Sequence, residues 1–219
     1  MAGTTNGYVA EEILREIGQA GGFSRKRFFR GIILPAWHKT TDDGRLADQC
    51  GFPGDVIISN GVWQRGKTIF DVVDDLKEGD VILKGANALD LRRGQAAILV
   101  GHPRGGTTSA ILQAVAGRRV RLILPVGLEK WITGDLNQLA MKLNAPGAEG
   151  PRFLPIPGQV FRKVDAIRLL TGADANLIAA GGVRGAEGSI WLALQGSNRE
   201  EDAAEELLRL VSEEPGFEL

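Results

Sequence analysis

DVILKGANALDLRRGQAAILVGHPRGGTTSAILQAVAGRRVRLILPVGLEK, residues 80–130, is the stretch whose reading decides the fold. Its apolar runs Val81 to Leu83, Ala96 to Val100 and Val120 to Leu124 have the length and β-branched content of strands buried on both faces. Between the last two, GHPRGGTT at Gly101 to Thr108 opens an apolar helix. Strand, glycine-rich turn, helix, strand is the grammar of an α/β sheet that holds its ligand outside the carboxyl ends of its strands. The expectation is a Rossmann-like α/β fold, a mainly parallel sheet sandwiched by helices, with a site beside the glycine-rich turn.

Towards the N-terminus, Tyr8 to Ile17 reads as an amphipathic helix, with Val9, Ile13, Leu14 and Ile17 on one stripe and the glycines at 21 and 22 beyond its end. Phe28 to Leu34 reads as a first strand stopped by Pro35, and His38 to Asp55 as a long polar, turn-rich loop. Val56 to Ser59 is a strand candidate leading to Asn60, Gly61 and Trp63. Ile69 to Lys77 has helical spacing in Ile69, Val72, Val73 and Leu76, with Thr68 as its cap.

Towards the C-terminus, Gly134 and Asp135 open a helix to Leu143, and Asn144 to Pro151 has the composition of a linker. Beyond it, strands at Phe153 to Ile156, Asn176 to Ala180 and Ser189 to Leu194 alternate with helices at Lys163 to Leu170 and Glu200 to Val211, and Phe217 to Leu219 reads as a last edge strand. That order is a ferredoxin-like α+β unit. The expected division is an α/β ligand-binding domain with its N-terminal helix at 1–147 and the small α+β domain at 148–219.

The chain has 219 residues, enough for one sizeable core or one core plus a small second domain. With 26 basic and 27 acidic side chains, no global field attracts nucleic acid or an anionic membrane. Cys50 is the single cysteine, which excludes an internal disulfide and a cysteine-rich metal cluster and fits a reducing compartment. The first residues lack a signal-peptide pattern and no apolar run is long enough to span a bilayer, so a cytoplasmic location is expected.

Three pieces of the central stretch carry a family resemblance: GlyAlaAsnAlaLeu at Gly85 to Leu89, GlyThr at Gly106 and Thr107, and the strand ending in Pro125. Over about fifty residues this pattern resembles the core of the ribose-5-phosphate isomerase, glucosamine-6-phosphate deaminase and CoA-transferase-like superfamily, nearest its branch of sugar-phosphate isomerases and initiation-factor 2B subunits. The resemblance implies a ligand that is a small phosphorylated metabolite: a sugar phosphate, a nucleotide or a CoA derivative. Asn87 departs from it, because the isomerases have a catalytic aspartate there and an amide cannot relay protons at neutral pH. Neither the isomerases' cysteine motif nor the CoA-transferase glutamate motif has a counterpart.

The residues themselves point to an anion site. Gly101, Gly105 and Gly106 allow close approach of the main chain, Thr107 and Thr108 offer hydroxyls and N–H groups at a helix start, and Arg104 offers a guanidinium. The same turn is equally readable as a helix cap that uses glycine for geometry alone. Lys84 and Gly85 end a buried strand, where the lysine faces the crevice to bind phosphate or, if desolvated, to act as a catalytic acid or base, or else serves as an edge residue with a solvated head. Glu129 is the preferred general base, with Lys130 beside it, although adjacent acid and base often form a solvated pair. His102 and His38 are candidate proton shuttles. Asn87 is a ligand contact or a turn-fixing amide, and Asn60 and Trp63 are candidate lining residues, with a core tryptophan as the plainer alternative. Asp42 and Asp43 are a turn or a Mg²⁺ pair, and two histidines with one cysteine at these spacings form no recognisable zinc set. No cofactor is identifiable. Two readings follow: an enzyme of isomerase-like or transferase-like type, or a non-catalytic ligand-sensing or assembly subunit with the same site, for which self-association is one expectation.

Overall fold

The computed structural model describes residues 1–26, 28–30, 33 and 52–216. His38, Asp42, Asp43, Cys50, residues 31, 32 and 34 of the strand expected at Phe28 to Leu34, and the last strand at Phe217 to Leu219 lie outside them; Phe28 to Arg30 are described and form no strand. The described residues form a mixed α/β structure of five helices and ten short strands.

Helix α1 (Thr4–Glu16) buries Asn6, Gly7, Ala10 and Leu14 on one face. It is closed by Gly18, whose φ of 69° lets its amide and that of Gln19 turn back onto the carbonyls of Arg15 and Leu14. Strands β1 (Ile58–Ser59) and β2 (Val62–Trp63) form a hairpin around Asn60 and Gly61, which have φ of 50° and 76°. This is the two-residue turn that Asn-Gly favours, and it accounts for Asn60 without a ligand. Gln19 extends the hairpin, accepting from the Trp63 amide at 2.8 Å and donating to the Gly61 carbonyl at 2.6 Å.

The helix expected over Ile69 to Lys77 is a 3₁₀ turn at Ile69–Asp71 followed by further turns. Two of the carbonyls in this segment are engaged from outside: Arg118 donates to Leu76 O at 2.7 Å and to Val73 O at 2.5 Å. The apolar set still packs inward, with Ile69 and Val73 buried and Val72 and Leu76 against the same core. Periodicity therefore reported burial correctly and hydrogen bonding incorrectly.

Strands β3 (Val81–Leu83), β6 (Arg121–Pro125) and β8 (Gln159–Phe161) form a parallel sheet in the order β3-β6-β8. Strands β4 (Ala88–Asp90), β5 (Gln95–Val100) and β7 (Arg152–Ile156) form an antiparallel one in the order β4-β5-β7. Helix α2 (Gly106–Arg118) thus joins strands of two different sheets, which corrects the expectation of one mainly parallel sheet through the central stretch. β5 is buried on both faces: Ala96 and Ile98 enter the main core with Ile82, Ile111, Leu122 and Leu124, while Ala97 packs with Leu136 and Phe153. Leu136 begins helix α3 (Leu136–Leu143), which Asp135 caps by accepting from the amides of Asn137 and Gln138.

β7, expected as the first strand of a unit starting at 148, instead pairs with β5, and β8, a strand the sequence analysis did not predict, completes the parallel sheet beside β6. After them come α4 (Lys163–Thr171), the antiparallel pair β9 (Asp174–Ala180) and β10 (Ile190–Gln195), and α5 (Asn198–Ser212). Ile167, Ala173 and Ala204 are the small core between these helices and the hairpin. The four-stranded sheet of a ferredoxin-like unit is not formed among the described residues: its first expected strand, β7, pairs with β5, and its last, at Phe217 to Leu219, lies outside them. No described helix is long and apolar enough to cross a membrane.

Candidate functional site

The parallel sheet sets the geometry. β3, β6 and β8 run the same way, so Lys84, the segment Val126 to Lys130, and Arg162 and Lys163 all follow carboxyl ends of neighbouring strands. The Lys84 amide continues the ladder, donating to Ile123 O at 3.1 Å, and its side chain donates to the Thr107 hydroxyl at 3.3 Å. A lysine after one strand therefore meets the first turn of α2.

That turn has the backbone its glycines allow. Gly105 and Gly106 adopt φ of 75° and 56°, the Gly105 amide donates to His102 O, and the Arg104 amide donates to His102 Nδ1 at 3.1 Å. The first-turn amides of Gly106, Thr107 and Thr108 have no carbonyl of their own helix to bond, so they and the helix dipole favour an anion at this end. Thr108 is buried and Arg104 is exposed. A Cβ at Gly105 would overlap Ser109 Oγ and come within 2.9 Å of Ser109 Cβ. Gly105→Ala is therefore expected to lower stability by roughly 1–3 kcal/mol, since the left-handed backbone adds strain to the overlap. Urea unfolding of the variant checks this, and an unchanged midpoint would show that the turn is free to re-form.

Behind Lys84 lies a charge cluster that sequence reasoning did not find. Asp55 is 1% exposed. It accepts from the Ala2 amide at 2.7 Å, the Ile69 amide at 2.9 Å and the Arg30 guanidinium at 2.9 Å. Asn6, brought by α1, donates to the carbonyls of Met1 and Leu83 at 2.9 and 3.1 Å, and the Met1 ammonium also donates to Leu83 O. Arg30 Nε and Asn6 Oδ1 are buried without a partner among the described residues.

The electrostatics follow from this packing. Burial, reinforced by the nearby Arg30 and only partly opposed by Asp55, lowers the Lys84 ammonium to a pKa of about 8. Burial lowers the Met1 amine to about 6, against the pull of Asp55. For Asp55, burial pushes the carboxyl up, but Arg30, the Met1 ammonium and the two amides together hold it below the ordinary range. Among the described residues no carboxylate lies within ion-pair distance of Lys84, and Asp55 is taken up by Arg30.

The other expected site residues divide. Asn87 accepts from the Leu99 amide at 3.0 Å while its own amide donates to Ala97 O, so its side chain fixes the start of the β4–β5 pair. The Gly101 carbonyl is held by the Arg152 guanidinium. Glu129 is exposed, and its carboxylate lies over Gly127 and pairs with Lys163 at 3.7 Å. Lys130 donates to Ala86 O at 2.8 Å, tying the β6 rim to the segment after Lys84, and burial lowers its pKa. Asn60 is on an exposed hairpin turn, and Trp63 is a buried packing residue, edge-on to Phe23 with Arg65 over its ring at 4.1 Å. Lys84, Thr107 and the glycine turn are thus brought together, while Glu129 faces Lys163 and Asn60 and Asn87 serve the backbone. The described residues contain no group of three or more histidine, cysteine, aspartate or glutamate side chains placed to hold a metal.

These features bring a lysine at the carboxyl end of β3 against the first turn of α2, beside the buried Arg30–Asp55 ion pair. No protein-family model, curated protein or solved structure matches the chain.

Proposed function

We propose that the carboxyl end of β3, beside the first turn of α2, binds a small phosphorylated metabolite. In this reading the first-turn amides of α2 and the Thr107 hydroxyl hold the phosphate, and Lys84 supplies the positive charge. The observation that carries it is the Lys84 to Thr107 contact, which sets a lysine against a helix N-terminus. The resemblance of Gly85 to Leu89, Gly106 and Thr107 to sugar-phosphate isomerases supports the same ligand class. It makes the chain a divergent member of that superfamily, with a Rossmann-like core reduced to a short parallel sheet and a ferredoxin-like remnant after it, acting in the cytoplasm.

Asn87 favours the non-catalytic form of the reading. Its carbonyl oxygen is committed to the Leu99 amide where the isomerases carry a proton-relaying aspartate. A ligand-sensing subunit needs only the cation and the amides.

Thermal unfolding with inorganic phosphate and a panel of sugar phosphates tests the proposal. A ligand at a hundred times its Kd stabilises the fold by about 2.7 kcal/mol. Lys84→Met is expected to abolish the ligand-induced shift. Glu129→Gln is expected to leave it intact, since that exposed carboxylate is engaged by Lys163. No stabilisation by any of these compounds, or an equal shift in Lys84→Met, would reject the site.

A further inference from the structure

Three lysines follow the carboxyl ends of the parallel strands, and they are chemically different. Lys163 is exposed and paired with Glu129, and Lys130 donates to a main-chain carbonyl at 2.8 Å. Lys84 is half-buried, and among the described residues it has no carboxylate within ion-pair distance and only the Thr107 hydroxyl at 3.3 Å as its hydrogen-bond partner. Asp55, the buried acid of the cluster, is bonded to Arg30 and to the Ala2 and Ile69 amides rather than to Lys84. An amine that is desolvated, near a guanidinium and not paired with a carboxylate among the described residues has its lone pair more available for reaction.

We infer that Lys84 is a carbonyl-reactive lysine, and that the ligand class of this site is a phosphorylated aldehyde or ketone which Lys84 captures as a Schiff base. The inference rests on the phosphate-binding reading for the ligand's anionic end and adds the chemistry of its other end. With the phosphate on the α2 amides, the carbonyl carbon reaches the lysine. Nitrogen attacks that carbon and a C–N bond forms. The C–O bond then breaks, and the oxygen leaves as water with two of the three ammonium protons. The product is an iminium ion, so the charge is unchanged and the cation stays beside the phosphate. Thr107 Oγ1 is within reach of the nitrogen to pass protons between nitrogen and oxygen.

At pH 8 an amine with a pKa of about 8 has roughly a hundredfold more neutral form than an exposed lysine. The full chain is treated at that pH with glycolaldehyde phosphate or with glycolaldehyde, reduced with borohydride, which delivers hydride to the imine carbon, and digested for peptide mapping by mass spectrometry. The expected result with the phosphorylated probe is one dominant adduct at Lys84, suppressed by inorganic phosphate and absent in Lys84→Arg, whose guanidinium forms no such imine. Adducts spread over exposed lysines with Lys84 unmodified would overturn the inference, and if phosphate still stabilised the protein the binding reading would survive. A Lys84 adduct formed equally well with glycolaldehyde and insensitive to phosphate would uphold the reactive amine while removing the phosphorylated ligand class.

Discussion

Asp55→Ala is expected to lower the stability of this protein by about 3–5 kcal/mol, the cost of breaking a buried ion pair by removing one partner. The variant leaves the Arg30 guanidinium without its counter-charge and the amides of Ala2 and Ile69 without their acceptor. Two distant segments also come loose together, because Asp55 ties the chain before α1 to the 3₁₀ turn at Ile69–Asp71. The pH dependence has a definite sign. Asp55 titrates below the ordinary carboxylate range in the fold, so its contribution is fully present above that range and is lost as pH falls through the folded value. Denaturant unfolding of wild type and variant at neutral and acid pH should therefore show a large gap at pH 7 that closes in acid. A gap of less than 1 kcal/mol at neutral pH would mean that the cluster contributes little to the fold.

Lys84→Met is expected to act in the opposite direction, raising stability at pH 7 by on the order of 3 kcal/mol through removal of a half-buried cation that no carboxylate pairs with among the described residues. Methionine keeps most of the side-chain volume. Here the folded pKa lies below the unfolded one, so the penalty is complete below the folded value of about 8 and fades as pH rises through the unfolded value. The melting temperatures of the two proteins should converge by about pH 11. A residue that costs stability in the unliganded protein is a mark of a functional site, where strain or buried charge is retained for what it binds. The contrast is sharpest with phosphate present: wild type should gain stability and the variant should not. A variant less stable than wild type at pH 7 would show that Lys84 is held there for the fold itself.

Much of the local structure was legible because it is decided within a few residues. Asn60 and Gly61 specify their hairpin turn by tolerating positive φ, Asp135 marks a helix start by offering its carboxylate to two amides, and Gly105 and Gly106 mark the start of α2. The runs at Val81 to Leu83 and Ala96 to Val100 showed strands, which they are, but only Ala96 to Val100 is buried on both faces: in Val81 to Leu83 Ile82 is buried and Val81 is exposed. They did not show direction, because a doubly buried run reads the same in a parallel and an antiparallel sheet. β5 accordingly pairs antiparallel with β4 and β7 rather than joining β3 and β6.

The site divides in the same way. The sequence by itself determined that a lysine ends one strand and that a glycine turn opens a helix after another, since both follow from residue order. Only the tertiary structure decided that Lys84 and Thr107 meet, that Arg30 and Asp55 pair across 25 residues of chain, and that Glu129 turns to Lys163. Those outcomes depend on which strands share a sheet and on how much water is excluded between them. Burial is what lowers the pKa of the Lys84 amine, and burial belongs to the assembled fold rather than to any stretch of its sequence.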